Sequence, residues 1–288
     1  DIELLIDALR DNWFKTSYLL DRRQSGPKKA AERYANYKNQ ELNYIFPADF
    51  TGQLSQWGLD AKRRTPTGVK AAIIREKGVN GDREMAWSMY LAGMDVKDVH
   101  MTDLISGRET LEDVNMIVFV GGFSNSDVLG SAKGWAGAFL YNERAKESLD
   151  KFFAREDTLS LGVCNGCQLM VELDLITPDH EQKPRMLHNE SHKFESIFLD
   201  VDILPNEAVM LRSLSGCRLG SWVAHGSDCN AAAIVSADGR HLAIMPHLER
   251  SIRPWNWPYY PEDRTSDEVT PWIEAFVNAA RWIAEHKK

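Results

Sequence analysis

The sequence predicts an α/β fold: a three-layer arrangement in which a mostly parallel sheet carries helices on both faces, preceded by an N-terminal helical linker. Three observations carry this expectation. From Gly68 onward, short apolar runs alternate with amphipathic helical stretches, the pattern of strand–helix–strand units. The runs are near-continuously apolar, which is how strands read when helices cover both faces of their sheet. One of them, Thr158 to Gly162, leads into Val163-Cys164-Asn165-Gly166 before a helical pattern resumes, giving a strand, a sharp turn and a helix.

The chain of 288 residues allows one large domain, or one domain plus an appendage, and its 43% hydrophobic content suffices for a sizeable core. No stretch approaches the ~20 apolar residues of a membrane span. The net charge of -8 argues against nucleic acid as the main partner, because phosphate binding needs concentrated Lys and Arg. Four cysteines in a chain of this length suit a reducing cytoplasm better than a disulfide framework. No signal peptide is visible and the chain opens at Asp1 without Met, so the expectation is a piece of something longer.

Residues 1–67 form the expected linker. Ile2, Leu5, Ile6, Leu9 and Trp13 fall at helical spacing and predict a first amphipathic helix. A charged polar stretch, Asp21 to Lys29, follows, and then Tyr34, Tyr37, Tyr44, Phe46, Phe50 and Trp57 without clear period. Two readings stand side by side: a connector lying against a partner surface, and a helical extension packed on its own domain. Residues 68–288 form the main domain. Val69 to Ile74, Val96 to His100, Met116 to Val120 and Thr158 to Gly162 are its first strands. Between them lie a helix with Met85, Ala86, Met89 and Ala92 on one face, and a mostly helical stretch from Lys133 to Arg155. Ligands bind at the carboxyl ends of strands in such sheets, which puts Gly121-Gly122 and Cys164 in one crevice. Phe194 to Ile203 alternates as a half-exposed antiparallel strand does. Leu219 to Ala224 and Ala231 to Ser236 follow, then an Asp238-Gly239 hairpin turn and a returning strand, His241 to Met245. A last helix has Thr270 as N-cap and Pro271 at its first position. Its buried face is Trp272, Ile273, Phe276, Val277, Ala280 and Ile283.

Cys164 sits where a nucleophile elbow lifts a reactive side chain off the top of a sheet. The flanking Gly162 and Gly166 let the backbone bend there, and the following helix aims its N-terminal N–H groups and dipole at the sulfur. The same residues also fit a Cys-x-x-Cys redox motif, half of a zinc site, or a plain core cysteine. Glu249 follows His247 by two positions, so in an extended chain both side chains point the same way. The carboxylate then orients the imidazole, completing a nucleophile–base–orienter set. The competing reading is a surface His beside a solvated Glu. A zinc site from His225, His241, His247, Cys164 and Cys167 lacks the second cysteine pair, since Cys217 and Cys229 are solitary, and no metal is expected. Gly121-Gly122 reads either as a tight strand-to-loop turn or as the source of one oxyanion N–H, paired with that of Asn165.

Gly162-Val163-Cys164-Asn165-Gly166-Cys167-Gln168 and Pro246-His247-x-Glu249-Arg250 resemble the class I (triad) glutamine amidotransferases, most closely the glutaminase domains of phosphoribosylformylglycinamidine synthases. Arg75-Glu76-x-Gly78-Val79-Asn80, Gly121-Gly122-Phe123-Ser124, Asp127-Val128-Leu129-Gly130, Gly134-Trp135-Ala136, Asn189-x-Ser191 with Phe194-Glu195, and Val223-Ala224-His225-Gly226 agree with them as well. The resemblance implies a flavodoxin-like class I glutaminase fold. It implies Cys164 as nucleophile, His247 as base, Glu249 as orienter, and Gly122 and Asn165 as oxyanion donors. Phe123, Gln168 and His225, with Asn189 and Ser191 nearby, are then the glutamine pocket. The implied reaction converts L-glutamine to glutamate and ammonia through a thioester. A tunnel would pass the ammonia to a synthetase domain of the same longer polypeptide, which makes formylglycinamidine ribonucleotide from formylglycinamide ribonucleotide in de novo purine biosynthesis. The glutaminase domain itself needs no cofactor; ATP and Mg²⁺ belong to the synthetase partner. The N-terminal segment resembles the connector of the large single-chain form. Three departures stand out: Leu248 replaces a second Pro, Ile197 replaces an Arg, and Ser227-Asp228-Cys229 follows Gly226 where the family has a longer excursion. Residues on both sides of that passage still match, so an omitted loop is expected there. Another Cys hydrolase of the same fold, such as a peptidase, and a catalytically silent binding domain are the alternative readings.

Overall fold

The computed structural model describes residues 3–39, 41–228 and 231–287; Ile2 and Cys229 lie outside them. Its centre is a six-stranded sheet in the order β2-β1-β3-β4-β10-β9. The strands are β1 (Lys70–Arg75), β2 (Asp95–His100), β3 (Met116–Phe119), β4 (Leu159–Val163), β9 (Ala233–Val235) and β10 (His241–Ile244). Neighbours from β2 to β10 run parallel, and β9 closes one edge antiparallel. Every residue of β3, β4 and β10 is buried, so both faces of the central strands are covered, as their unbroken apolar texture requires. The edge strand β2 instead mixes Asp95, Lys97 and Asp98 among its apolar residues, which keeps an exposed edge from pairing with another chain.

The covering helices are α3 (Asp82–Leu91), α4 (Met101–Ser106), α5 (Lys133–Leu140), α6 (Glu143–Phe153), α7 (Asn165–Glu172) and α8 (Ile273–His286). α3 touches α8, while α4 to α7 form a second connected group. The stretch 133–155 is two helices because Asn142 interrupts it: its side chain accepts the N–H of Ala145 at 2.9 Å and caps α6. At the other end of the chain the expected cap is corrected. Thr270 turns its hydroxyl to Ser251 O at 2.6 Å, Pro271 and Trp272 form a turn, and α8 begins at Ile273 with no side-chain cap. The buried face is the one the spacing gave, with Trp272 also donating its indole N–H to Gly220 O at 2.8 Å.

A second, two-stranded unit stands beside the sheet. β6 (Glu195–Asp202) pairs antiparallel with β7 (Arg218–His225) along their full length. The short strands β5 (Leu187–His188) and β8 (Ser227–Asp228) make a further pair. The turn from β9 to β10 passes through Gly239 at φ +75°, with the Ser236 N–H donated to His241 O at 2.9 Å. That is the hairpin the Asp-Gly pair predicted.

The N-terminal 67 residues divide in two. α1 (Ile6–Gln24) runs through the start of the charged stretch and stops at Ser25; α2 (Pro27–Ala35) then opens on a proline. The α1 residues Ile6, Leu9 and Trp13 stand exposed, Trp13 at 82%. Arg10 packs over the rings of Tyr34 and Tyr37. By contrast, Phe50 and Leu54 are buried and Tyr44, Phe46 and Trp57 pack against the main core. Ile45 makes a backbone bridge to Arg218, and Glu268 accepts the Leu54 N–H.

Candidate active site

The carboxyl ends of β3, β4 and β10 converge on one cleft. Cys164 follows β4 directly, at φ 51° and ψ -106°, a conformation that costs an L-residue energy and persists only where the surroundings enforce it. Its N–H is held by Ile244 O at 2.9 Å, and its carbonyl receives the Gln168 N–H at 3.0 Å to begin α7. The strain therefore sits on the cysteine itself, and the flanking glycines serve another purpose than bending. A Cβ on Gly166 would lie 1.9 Å from Phe119 O, so this glycine lets the first turn of α7 press against the backbone of β3.

Gly121 and Gly122 leave the end of β3. A Cβ on Gly121 would stand 2.7 Å from His247 Cε1 and 3.4 Å from Cys164 Cβ, which measures how tightly the three meet. His247 follows β10, with its N–H on Trp222 O at 2.8 Å and its carbonyl accepting from the Ser251 hydroxyl at 2.9 Å. Glu249 lies in the 3-10 turn Leu248–Arg250. This corrects the expected extended geometry: His247 and Glu249 meet across a tight turn, not along a strand. Nδ1 of His247 is 2.7 Å from Glu249 Oε1, and each residue is only 2% exposed. The Cys164 thiol donates to Ala224 O at 3.4 Å, and its sulfur lies near enough to the imidazole to help raise its pKa. Burial alone would push the His247 pKa down, but the Glu249 charge and Cys164 outweigh it and raise it to about 10.

Of the two expected oxyanion donors, Gly122 lines the cleft. Its neighbours are occupied: the Phe123 N–H goes to Gly78 O at 2.9 Å, and the Ser124 N–H goes to Asn165 Oδ1 at 3.1 Å. Asn165 is buried at the first position of α7, its side-chain amide donating to Gln168 Oε1 at 2.9 Å.

The cleft has a volume of about 150 Å³. Gly122, Phe123, Cys164, Gln168 and His225 all line it. Asn189 and Ser191 do not. Asn189 stands behind the wall, donating its amide to His225 O at 2.8 Å and its N–H to Gly226 O at 3.0 Å. Ser191 accepts the Lys193 N–H at 3.4 Å in the same loop. Sequence reasoning missed His188, Ser131 and Ser227 as lining residues, and noted Asp127 and Phe194 only within matching stretches. Ser227 accepts from the Gln168 amide at 3.2 Å and shares a hydrogen bond of 2.9 Å with Ser131. Phe123 and Phe194 bring their rings to 5.7 Å. A lone Ser or His carries no periodicity, so only the fold could have brought them here.

Cys167 is buried, as are Cys164 and Cys217. His241 sits at the amino end of β10, bonded to Ser160 at 2.9 Å, away from the cleft. Among the described residues no group of three or more His, Cys, Asp or Glu side chains is placed to hold a metal ion, and no helix is long and apolar enough to cross a membrane.

Comparison with known proteins adds the following. The model of the CobB/CobQ-like glutamine amidotransferase domain matches residues 68–229 and 225–283. The two stretches meet at the short passage after Gly226. The chain is 36% identical to the phosphoribosylformylglycinamidine synthase of Homo sapiens, over 99% of this chain and 25% of that protein. It is also 36% identical to the probable phosphoribosylformylglycinamidine synthase, chloroplastic/mitochondrial, of Arabidopsis thaliana, over 96% of this chain and 23% of that one. The chain thus spans about a quarter of the length of these relatives. Among solved structures, one described as the structure of PurLQS from Thermotoga maritima superposes with a TM-score of 0.58 at 20% identity, covering 76% of this chain and 99% of that chain. That likeness is one of fold.

Proposed function

Since the chain belongs to the CobB/CobQ-like glutamine amidotransferase family, we propose that Cys164, His247 and Glu249 are its catalytic triad and that it hydrolyses L-glutamine through a Cys thioester. The buried His247–Glu249 pair beside Cys164, at the mouth of a small cleft, is the observation that carries this reading. With a proton already held on His247, the Cys164 sulfur attacks the carboxamide carbon of glutamine as the thiolate. The resulting oxyanion is held by the N–H groups of Gly122 and Asn165, an arrangement that stabilises charge only as it develops. His247 then protonates the departing ammonia, leaving a thioester. The same imidazole takes a proton from water, hydroxide attacks the thioester, and glutamate leaves as the thiolate re-forms. Glu249 holds the ring in one tautomer and stabilises the imidazolium between steps. Gln168 and His225 line the pocket for the substrate, with Phe123 at its wall and Asn189 and Ser191 bracing the loop behind.

The relatives' names and the quarter of their length spanned here support a larger role. The chain is the glutaminase part of a longer polypeptide whose synthetase domain uses the ammonia, with ATP and Mg²⁺, to make formylglycinamidine ribonucleotide in de novo purine biosynthesis. Residues 1–67 would be the connector to that domain and residues 68–288 the amidotransferase. The free thiols of Cys164 and Cys217 suit a cytoplasmic setting. The test is direct: Cys164→Ser should abolish glutamine hydrolysis and labelling by a glutamine-mimicking electrophile. A variant that still releases glutamate at the wild-type rate removes the assignment. Labelling of the wild type that glutamine does not block points to a different Cys hydrolase on the same fold.

A further inference from the structure

We propose that Asp127 recognises the α-ammonium group of the substrate, so that the cleft selects a free α-amino acid over a bare carboxamide. The inference rests on the glutaminase reading and adds to it the residue that makes the site specific. The cleft that holds Cys164 is lined by a single carboxylate, Asp127, and by no Lys or Arg. Its other titratable side chains besides the cysteine are the imidazoles of His188 and His225. A volume of about 150 Å³ lies well below the ~300–1,000 Å³ of pockets that enclose drug-sized ligands, and suits something the size of one amino acid. Free glutamine brings one cationic group into this space, and a desolvated ammonium needs an anion beside it.

Asp127 is available for that role and is held ready for it. Among the described residues no Lys or Arg pairs with its carboxylate; Oδ1 accepts only the Ala132 N–H, at 3.3 Å. The backbone that presents it is forced. Asn125, Ser126 and Asp127 have φ of 52°, 59° and 49°, and Ser131 and Ala132 follow at 47° and 59°. Consecutive residues without glycine rarely adopt this region, and such strain persists where neighbours over-determine it, as at ligand clamps. Here the loop is pinned from outside: the Asn125 N–H is held by Lys77 O at 2.8 Å and the Phe123 N–H by Gly78 O at 2.9 Å. Ser131 in turn bonds Ser227 on the opposite wall. The carboxylate is therefore fixed before substrate arrives, and preorganisation of this kind lowers the cost of binding.

The experiment measures protection of Cys164 from alkylation by iodoacetamide, read on the Cys164 peptide. The protecting ligands are glutamine and 4-carbamoylbutanoate, which is glutamine without its ammonium. In the wild type, glutamine should half-protect at a concentration at least tenfold lower than 4-carbamoylbutanoate. Asp127→Asn keeps an acceptor for the Ala132 N–H and removes only the charge. It should raise the half-protecting concentration of glutamine about tenfold or more and leave that of 4-carbamoylbutanoate unchanged, so the preference collapses. Equal weakening of both ligands, or an unchanged preference, overturns the inference and leaves the glutaminase reading standing. Failure of glutamine to protect the wild type at all overturns both. The wild-type preference alone keeps the proposal falsifiable should the variant not fold.

Discussion

Two buried histidines flank the same strand, and their fates are opposite. His241 opens β10 and is 5% exposed; His247 follows its carboxyl end and is 2% exposed. Burial presses both toward the neutral form. His241 meets the Ser160 hydroxyl at 2.9 Å and the ring of Phe153, and its pKa falls to about 4, chiefly by burial. His247 meets Glu249 at 2.7 Å and Cys164, and its pKa rises against the same burial to about 10. Residue type and depth are nearly shared, so the carboxylate and the cysteine make the difference. One histidine is a neutral piece of core, and the other is held between a carboxylate and a sulfur, where the proposed mechanism needs a proton carrier.

Removing the carboxylate breaks this contrast most severely. Glu249→Gln keeps the shape of the side chain but not its charge, and His247 should then behave more like His241. Glutamine hydrolysis is expected to fall on the order of 10³-fold, less than for loss of the nucleophile, because orienting a base contributes less than supplying one. A second readout follows from the sign of the shift. A raised pKa contributes stability that is fully present below the free value of 6.5 and is lost as pH rises toward about 10. The variant should lose that alkaline dependence in urea melts across pH 6.5–10; an unchanged slope would mean that Glu249 does not hold the charge.

Gly121→Ala tests the geometry instead of the charge. The new methyl would stand 2.7 Å from His247 Cε1 and 3.4 Å from Cys164 Cβ, so the ring must leave its present position beside Cys164. A displacement near 1 Å is expected to cost about 10²-fold in rate, with Cys164 still present to be labelled. Wild-type turnover in this variant would show that the imidazole does not need the position it has here.

The contrast also shows what the residues alone can convey. The β1, β3 and β4 strands were legible because burial on both faces leaves an unbroken apolar run, and the elbow because a cysteine between two glycines ended one of them. The two-residue spacing of His247 and Glu249 suggested their pairing, but through the wrong local geometry, since nothing in Leu248-Glu249-Arg250 announces a 3-10 turn. The glycine pair after β3 was visible; the steric reason for Gly121 lies in a residue 126 positions later in the chain. Asp127 and Ser131 reach the cleft from one loop, His188 from β5 and Ser227 from β8, a convergence that only tertiary packing produces. His241 read as one histidine among several metal candidates, because sequence does not reveal whether an imidazole faces a carboxylate or a serine.

His241 itself supplies the mildest test, and its sign is the reverse of that for His247. A lowered pKa contributes stability that is present above the free value of 6.5 and is lost as pH falls toward about 4. The shift corresponds to about 3 kcal/mol across that window. His241→Asn retains a polar atom near Nδ1 for Ser160 but carries no ionisable ring. It should lower stability at neutral pH by about 1–3 kcal/mol, through lost packing against Phe153, while flattening the acid limb of the pH dependence. Glutamine hydrolysis at neutral pH should be little changed, since His241 lies at the end of β10 remote from Cys164. Chemical denaturation between pH 4 and 7, run beside the Glu249→Gln melts, separates the two histidines: each variant should erase the slope on one side of neutrality and leave the other intact. If His241→Asn retained the acid slope, the neutral-core reading of this residue would fall, and the contrast would reduce to His247 alone.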